Sequence, residues 1–145
     1  MISLKLKNLE KSIKGQIIND YDRIFTPLQV EDLSKIINNY YNVTTRQIVI
    51  VTVDTISPYK DIQRMAADLG QYWGVGMTEK NNGLIILLCK PCRKITIVTG
   101  NGTELILTNQ VCKEIIDKIM VPEFKDGDFY KGIKKGIFEL ISKWE

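Results

Sequence analysis

The chain has 145 residues, of which 44% are hydrophobic and 26% charged, with a net charge of +3. This length and composition are those of an ordinary globular protein, so we expect a single domain spanning residues 1–145 with one sizeable core. Histidine is absent from the sequence, which excludes Ser-His-Asp and Cys-His catalysis and zinc held by histidine. Any chemistry must therefore use carboxylates, lysine, tyrosine, cysteine, backbone amides or a metal bound through oxygen.

The positive charge is concentrated at the N-terminus. Residues 1–14 carry four lysines against Glu10, which accounts for the net charge of +3. No basic stripe interleaved with aromatic residues appears, so nucleic acid is not an expected partner. No apolar run approaches the ~20 residues of a membrane span, and the first residues lack the pattern of a signal peptide. The expected location is therefore the cytoplasm.

An amphipathic pattern indicates that residues 1–14 form an N-terminal helix. We expect this helix to dock on the domain core, residues 17–144, with its lysines in solvent. The alternative is contact with a membrane surface or a partner protein. Membrane contact is not expected, because the segment is short and lacks Trp and Phe. The apolar residues at helical spacing are Ile2, Leu6, Leu9 and Ile13.

The first half of the core alternates between helix and strand. Residues 15–25 are interpreted as a connector, after which Thr26 caps a helix with Pro27 at its first position and Gln29 in capping-box spacing. The continuous β-branched run Gln47–Val53 is typical of a strand that is buried on both faces.

A βαβ unit and a returning strand follow. Ser57-Pro58 begins the next predicted helix, Gly74 and Gly76 end it, and residues 84–89 form a second buried strand. The crossover between the two strands should be right-handed. A short Lys-Pro-Cys-Arg turn then sends the chain back as the antiparallel strand Lys94–Thr99.

Two helical patterns complete the chain. Thr108 caps a helix that runs to about Met120 and is broken by Pro122, and residues 129–144 form the last helix. Helices before, within and after the sheet predict an α/β protein. The expected architecture is a three-layer α/β/α sandwich with a small mixed sheet flanked by helices.

The three cysteines are not arranged as a typical redox or zinc site. Cys89 and Cys92 form a C-x-x-C motif across the turn between two strands, whereas a redox pair normally opens a helix that lowers the thiol pKa. We therefore favour unpaired cysteines that are buried or lie in a turn, with an adventitious disulfide or a redox function as alternatives. Cys112 makes the count odd, which suits a reducing compartment.

Two polar loops are candidates for a cation site. One directly precedes the buried strand 84–89, and the other follows the antiparallel strand, so the two should meet at one edge of the sheet, which the connector is also able to reach. Oxygen atoms from carboxylates, Asn side chains and backbone are the ligands that Ca²⁺ accepts. The candidate metal ligands are Asp20, Asn81, Asn82, Asn101, Glu104 and Asn109.

Several short motifs occur in a characteristic order along residues 17–144. They are Asn19-Asp20-Tyr21, Trp73-Gly74-Val75-Gly76, Asn82-Gly83, Gly102-x-Glu104, Leu107-Thr108 and Pro122-x-Phe124-x-x-Gly127-Asp128-Phe129. This order resembles the TPM-domain family, named after the thylakoid acid phosphatase and including bacterial relatives. The resemblance implies an α/β/α sandwich and a divalent-cation site, usually for calcium. For some members it implies acid phosphatase activity, and for others a role in photosystem repair or receptor assembly.

Three of the family's motifs are altered in this chain. Where the family commonly has Asp-Asn-Gly and Leu-Thr-Asp, this chain has Asn81-Asn82-Gly83 and Leu107-Thr108-Asn109. Both changes remove a carboxylate from the implied cation site, which weakens Ca²⁺ binding. The family's Gly-Tyr-Gly is Gly100-Asn101-Gly102 here, which adds one oxygen ligand.

Three functions are compatible with these observations. The first is a non-enzymatic module that binds calcium weakly and docks a protein partner. The second is a metal-assisted acid phosphatase in which Asp20 or Glu104 positions the attacking water, although no nucleophile with a positioned base is recognisable. The third is assembly on a membrane or partner protein through residues 1–14.

Overall fold

The computed structural model describes residues 17–75 and 82–144. The predicted N-terminal helix within residues 1–14, together with Gly76 and Asn81, lies outside these ranges. The described chain forms a four-stranded mixed sheet with helices on both faces. The predicted α/β/α sandwich is thereby confirmed.

The sheet contains two parallel pairs and one antiparallel pair. Its strands are β1 (Ile18–Asp20), β2 (Gln47–Val53), β3 (Gly83–Cys89) and β4 (Lys94–Thr99), adjacent in that order. Strands β1, β2 and β3 run parallel, and β4 returns antiparallel to β3. The sequence predicted β2, β3 and β4.

Strand β1 was not predicted, and the interpretation of residues 15–25 as a connector is wrong in this respect. The strand has three residues, and its Asn19 and Asp20 have low β-propensity. Its existence depends on pairing with β2, where Ile18 lies opposite Ile50 and Asp20 opposite Thr52. A tertiary contact of this kind leaves no periodic signal in a segment so short.

Within the described ranges, five α-helices surround the sheet. A π-helical turn, Ile116–Met120, separates the third from the fourth. The helices are α1 (Pro27–Thr44), α2 (Ile62–Trp73), α3 (Asn109–Ile115), α4 (Val121–Lys125) and α5 (Phe129–Lys143).

The helix boundaries follow the capping residues. The Gln29 amide donates to the Thr26 hydroxyl at 3.1 Å and the Thr26 amide donates to the Gln29 side chain at 2.9 Å, which completes the predicted capping box. Helix α2 begins later than predicted from Ser57-Pro58. It is Asp61 that caps it, by accepting a hydrogen bond from the Gln63 amide at 3.0 Å.

Pro122 does not end the helical path as predicted. Before it, the chain widens into the π-helical turn, in which the Val121 amide donates to the Ile116 carbonyl. Proline has no amide hydrogen and its ring clashes with the carbonyl four residues earlier in a regular α-helix. The wider turn avoids this conflict, so that helix α4 follows directly.

The unbroken apolar runs of β2 and β3 arise because both faces of the sheet are covered. Successive side chains point to opposite faces, and each face has its own core. Helices α1, α3 and α5 pack on the first face and α2 on the second. The first core includes Ile48, Ile50, Leu84, Ile86 and Leu88, and the second includes Val49, Val51, Val53, Ile85 and Leu87.

Two glycines allow α5 to approach the preceding helical segments closely. A Cβ atom at Gly132 would lie 2.5 Å from the Phe124 ring, and one at Gly136 would lie 2.6 Å from the Met120 sulfur. The Phe124 ring is therefore held against the backbone of α5. Of the helices in the described ranges, none combines the length and apolar character needed to cross a membrane.

Candidate functional site

The sheet has two polar edges. The carboxyl-terminal edge comprises the ends of β1, β2 and β3 and the start of β4, and the amino-terminal edge comprises the opposite ends. The predicted ligands are divided between them. Asp20 lies at the carboxyl-terminal edge, whereas Asn82, Asn101 and Glu104 lie at the amino-terminal edge.

The two predicted polar loops do meet at the amino-terminal edge. The Gly100 amide, just after β4, donates to the Gly83 carbonyl at 2.9 Å. Asn82 immediately precedes β3, and its side-chain amide donates to the carbonyl and hydroxyl oxygens of Thr45, both at 3.3 Å. Asn81 lies outside the described residues. The two predicted loops are thus adjacent in the described residues.

The loop after β4 is shaped by its own backbone. The amides of Thr103 and Glu104 both donate to the Gly100 carbonyl at 3.0 Å, and the Leu107 amide donates to the Thr103 carbonyl at 2.8 Å. Thr103 is buried, while the side chains of Asn101 and Glu104 are exposed. This arrangement presents one carboxylate and one amide to solvent from a compact loop.

Asn109 closes this region as the first residue of α3. The Thr108 hydroxyl accepts from the Val111 amide at 3.2 Å, which confirms Thr108 as the cap of the helix. The Asn109 side chain is exposed. Among the described candidate ligands at the amino-terminal edge, Glu104 is thus the one carboxylate and the others are amides.

Asp20 does not reach this edge, so that expectation was wrong. Because β1 pairs in parallel with β2, Asp20 lies beside Thr52 near the end of β2. One carboxylate oxygen accepts from the Thr52 hydroxyl at 2.6 Å and the Ile24 amide at 3.1 Å, and the other accepts from the Phe25 amide at 2.9 Å. The Asp20 carboxylate thus fixes the turn that joins β1 to α1.

No ready-made carboxylate cluster is present in residues 17–75 and 82–144. In these ranges no group of three or more Cys, Asp and Glu side chains is arranged to hold a metal ion. A cation at the amino-terminal edge would depend on Glu104, neutral Asn oxygens and backbone carbonyls. Such a donor set suits a hard cation and carries little charge.

Acidic groups at the carboxyl-terminal edge influence one another. Burial raises the pKa of the Asp22 carboxyl above its usual value of 3.8, and the nearby charge of Asp54 adds to the increase. Lys90 acts in the opposite direction and Asp20 adds a smaller increase. The Asp22 backbone amide donates to the Thr52 hydroxyl at 3.1 Å.

Cys89 and Cys92 are joined by a disulfide, which differs from the favoured interpretation as unpaired cysteines. The turn between β3 and β4 brings their Cα atoms to 5.2 Å, within the range that a disulfide spans. Cys112 is free and buried, and its burial raises the pKa of the thiol to about 11. The disulfide therefore belongs to the carboxyl-terminal edge, and Cys112 is an unreactive core residue.

A large cavity at the carboxyl-terminal edge was missed by sequence reasoning. Its volume is about 1040 Å³, and its lining comes from the β1–α1 turn, the β3–β4 turn and helices α4 and α5. The contributing segments include Arg23, Arg93 and Lys125, which are far apart in the chain. The one local signal was the basic content of the turn that carries Lys90 and Arg93.

The fold and its polar edges define the class of protein. In the part of the chain that the structure describes, a four-stranded mixed sheet has one helix on one face and several on the other, which is an α/β/α sandwich with loops at both edges. The family model described as the TPM domain matches residues 18–143, which is most of the chain. The protein belongs to the TPM-domain family. Among curated proteins, no match to this sequence is found.

Solved structures share this fold. The N-terminal domain of a protein from P. gingivalis has a TM-score of 0.84 at 23% identity, covering 98% of this chain and 92% of that one. The BA42 protein of Bizionia argentinensis has a TM-score of 0.74 at 17% identity, covering 86% and 83%. The N-terminal domain of the cg2496 protein of Corynebacterium glutamicum has a TM-score of 0.71 at 13% identity, covering 92% and 83%. At such identities the likeness establishes the fold and not the function.

Proposed function

We propose that this protein is a non-enzymatic binding module that holds calcium weakly at the amino-terminal edge of its sheet and docks a protein partner there. The observation that carries the proposal is the 2.9 Å hydrogen bond from the Gly100 amide to the Gly83 carbonyl, because it joins the two polar loops. Asp20 is not among the proposed ligands, since it lies at the other edge. The proposed ligands are side-chain oxygens of Asn81, Asn82, Asn101, Glu104 and Asn109.

The charge of the site supports weak binding. Ca²⁺ sites gain affinity with the number of charged ligands, and the described candidates supply a single carboxylate, that of Glu104. We therefore expect a dissociation constant on the order of 10⁻⁴–10⁻³ M, the range of the weaker protein calcium sites. A site of this strength responds to changes in calcium without requiring it for folding.

A protein partner is proposed because the same loop exposes apolar side chains. Leu105 is 81% exposed and Ile106 is 39% exposed, directly after Glu104. Exposed apolar side chains bordered by polar ones give a partner protein apolar surface to bury. Calcium bound by Glu104 would neutralise the carboxylate beside them and so favour such a contact.

Acid phosphatase activity has no separate observation in its favour. The two carboxylates considered for positioning water, Asp20 and Glu104, lie at opposite edges of the sheet. The Asp20 oxygens already accept hydrogen bonds from Thr52, Ile24 and Phe25. Assembly through residues 1–14 concerns a segment outside the described residues and stays a prediction.

Calcium titration monitored by residue-resolved NMR tests the proposal. We expect saturable shifts at the amides of Asn82, Asn101 and Glu104 at millimolar calcium, and their loss in Glu104→Gln. The matched control is Glu31→Gln, which removes the same charge from an exposed position on α1 and should leave the shifts intact. NMR shifts confined to other regions, or no shifts at all, would contradict the proposal. Hydrolysis of p-nitrophenyl phosphate that Glu104→Gln abolishes would instead favour the enzymatic alternative.

A further inference from the structure

The cavity at the carboxyl-terminal edge, called the edge cavity below, has the size of a small-molecule site. Its volume of about 1040 Å³ compares with the ~300–1,000 Å³ that is usual for ligand pockets. It lies at the ends of parallel strands β1 and β3, where open α/β sheets commonly bind ligands. It is separated from the proposed calcium loops by the length of the sheet.

The lining of the edge cavity is strongly basic. Five cationic side chains line it against one carboxylate, that of Asp22. None of the ion pairs found among the described residues involves any of the five. Cations gathered around a concave surface create a positive potential that attracts an anion. The five are Arg23, Lys90, Arg93, Lys94 and Lys125.

The two arginines lie in an unusual backbone conformation. In the described part of the chain, three residues other than glycine have positive φ, and two of these are Arg23 and Arg93, both at 55°. Each closes a turn, since the Arg23 amide donates to the Asp20 carbonyl at 3.2 Å and the Arg93 amide donates to the Lys90 carbonyl at 3.1 Å. A side chain other than Asn or Asp is uncommon in this region, and such outliers cluster at ligand sites.

Both turns are fixed in place before any ligand binds. The Asp20 carboxylate accepts from the Ile24 and Phe25 amides, which holds the turn that carries Arg23. The Cys89–Cys92 disulfide closes a short loop that contains Lys90, and Arg93 follows this loop directly. A site whose backbone turns are already positioned loses less conformational entropy on binding.

One wall of the edge cavity is aromatic. Phe124 and Phe129 stack with their centroids 5.0 Å apart, and the Lys90 ammonium lies 5.0 Å from the Phe129 centroid. The close approach of Gly132 to Phe124 leaves this wall little freedom to move. A cationic rim beside a rigid apolar wall fits an organic anion better than a bare inorganic ion.

We propose that the edge cavity binds a small organic molecule that carries at least two phosphate groups. The phosphates contact Arg23, Arg93 and the neighbouring lysines, and the organic part contacts the aromatic wall. An arginine guanidinium binds phosphate through two parallel hydrogen bonds. Five positive charges also exceed what a single carboxylate or one phosphate would neutralise. This site is independent of the calcium site proposed above.

The test is isothermal titration of the full chain at low ionic strength with adenosine diphosphate, pyrophosphate and orthophosphate. We expect the nucleotide to bind roughly 5-fold more tightly than pyrophosphate, because the aromatic wall adds an apolar contact. Orthophosphate should bind most weakly. Equal binding of orthophosphate and pyrophosphate, or no binding of any of the three ligands, would overturn the proposal.

Matched arginine variants locate the site. Arg23→Gln and Arg93→Gln should each weaken nucleotide binding roughly 10-fold, the effect of losing a charge-assisted hydrogen bond. The control is Arg64→Gln, which makes the same change at an exposed residue of α2 outside the edge cavity. An equal loss in the control would show a diffuse charge effect and contradict the proposal.

Two further measurements separate this site from other possibilities. Glu104→Gln should leave nucleotide binding unchanged and Arg93→Gln should leave the calcium titration unchanged, so that either proposal can fail alone. Vesicles with anionic phospholipid test a membrane surface as the ligand. Vesicle binding that requires Arg23 and Arg93 and that the nucleotide does not displace would refute a small-molecule site.

Discussion

The two edges of the sheet are held by different kinds of bond. At the carboxyl-terminal edge, side chains fix the loops, because Asp20 accepts three hydrogen bonds and Cys89 is joined to Cys92. At the amino-terminal edge, the loop after β4 is held mainly by backbone hydrogen bonds that the carbonyl oxygens of Gly100 and Thr103 accept. The Asn101 and Glu104 side chains of this loop are exposed, so they are accessible to a ligand.

This difference shows why residue type alone is a poor guide to a cation site. Asp20 and Glu104 are both acids in the motifs that resemble the TPM-domain family. The Asp20 carboxylate is used by the fold, whereas the Glu104 side chain is exposed on a loop that does not need it. A carboxylate can serve as a ligand most easily where no backbone donor already occupies its oxygens.

The largest expected effect is a difference in the free energy of unfolding between variants of Asp20 and Glu104. Asp20→Ala should lower the free energy of unfolding by about 3 kcal/mol, because it leaves three hydrogen-bond donors without their acceptor. Glu104→Ala should change it by no more than about 0.5 kcal/mol, as for other exposed positions. Urea unfolding of both variants measures the contrast. Equal losses would remove the distinction between a structural and an available carboxylate.

Reduction of the disulfide should have the next largest effect. The chain-entropy model for so short a loop gives a loss of about 2 kcal/mol when Cys89 and Cys92 are reduced. The effect should appear as a lower urea midpoint in the presence of dithiothreitol. Cys92→Ser is the control, since its stability should no longer respond to the reductant. A wild-type protein that is equally insensitive would show that the carboxyl-terminal edge does not depend on this bond.

A smaller, pH-dependent effect is expected at Asp22. Its pKa is raised above 3.8 in the folded state, chiefly by burial and then by Asp54. Ionisation of this carboxyl therefore opposes folding increasingly as the pH rises above 3.8. Asp22→Asn should therefore raise the melting temperature at neutral pH. The gain should vanish as the pH falls below 3.8, where the wild-type carboxyl is also neutral. A gain that persists in acid would assign the effect to packing and not to charge.

The sequence predicted the parts of this fold that have long periodic patterns or local chemistry. The buried runs of β2 and β3, the capping box of Thr26 and the cap of Thr108 all follow from neighbouring residues. Strand β1 and the position of Asp20 depend on pairing with β2, more than 30 residues away in the chain. A short, partly polar segment gives no sign of such pairing.

The candidate sites were predicted unevenly for the same reason. The meeting of the two loops at the amino-terminal edge follows from the antiparallel return of β4, which the sequence indicates. The edge cavity brings together Arg23, Arg93 and Lys125, whose proximity depends on how three separate turns and helices pack. Charges that converge only in the folded state cannot be recognised from their spacing in the chain.

The most direct test of the calcium proposal is isothermal titration of Asn109→Asp with calcium. Adding one carboxylate at this proposed ligand position should tighten binding roughly 10-fold, since about 1.4 kcal/mol of added attraction is one decade in affinity. Because position 109 opens α3, the calcium-free variant should be no less stable than the wild type, as an acid at a helix N-terminus is favourable. Unchanged calcium affinity in Asn109→Asp would contradict the assignment of a cation site to the amino-terminal edge.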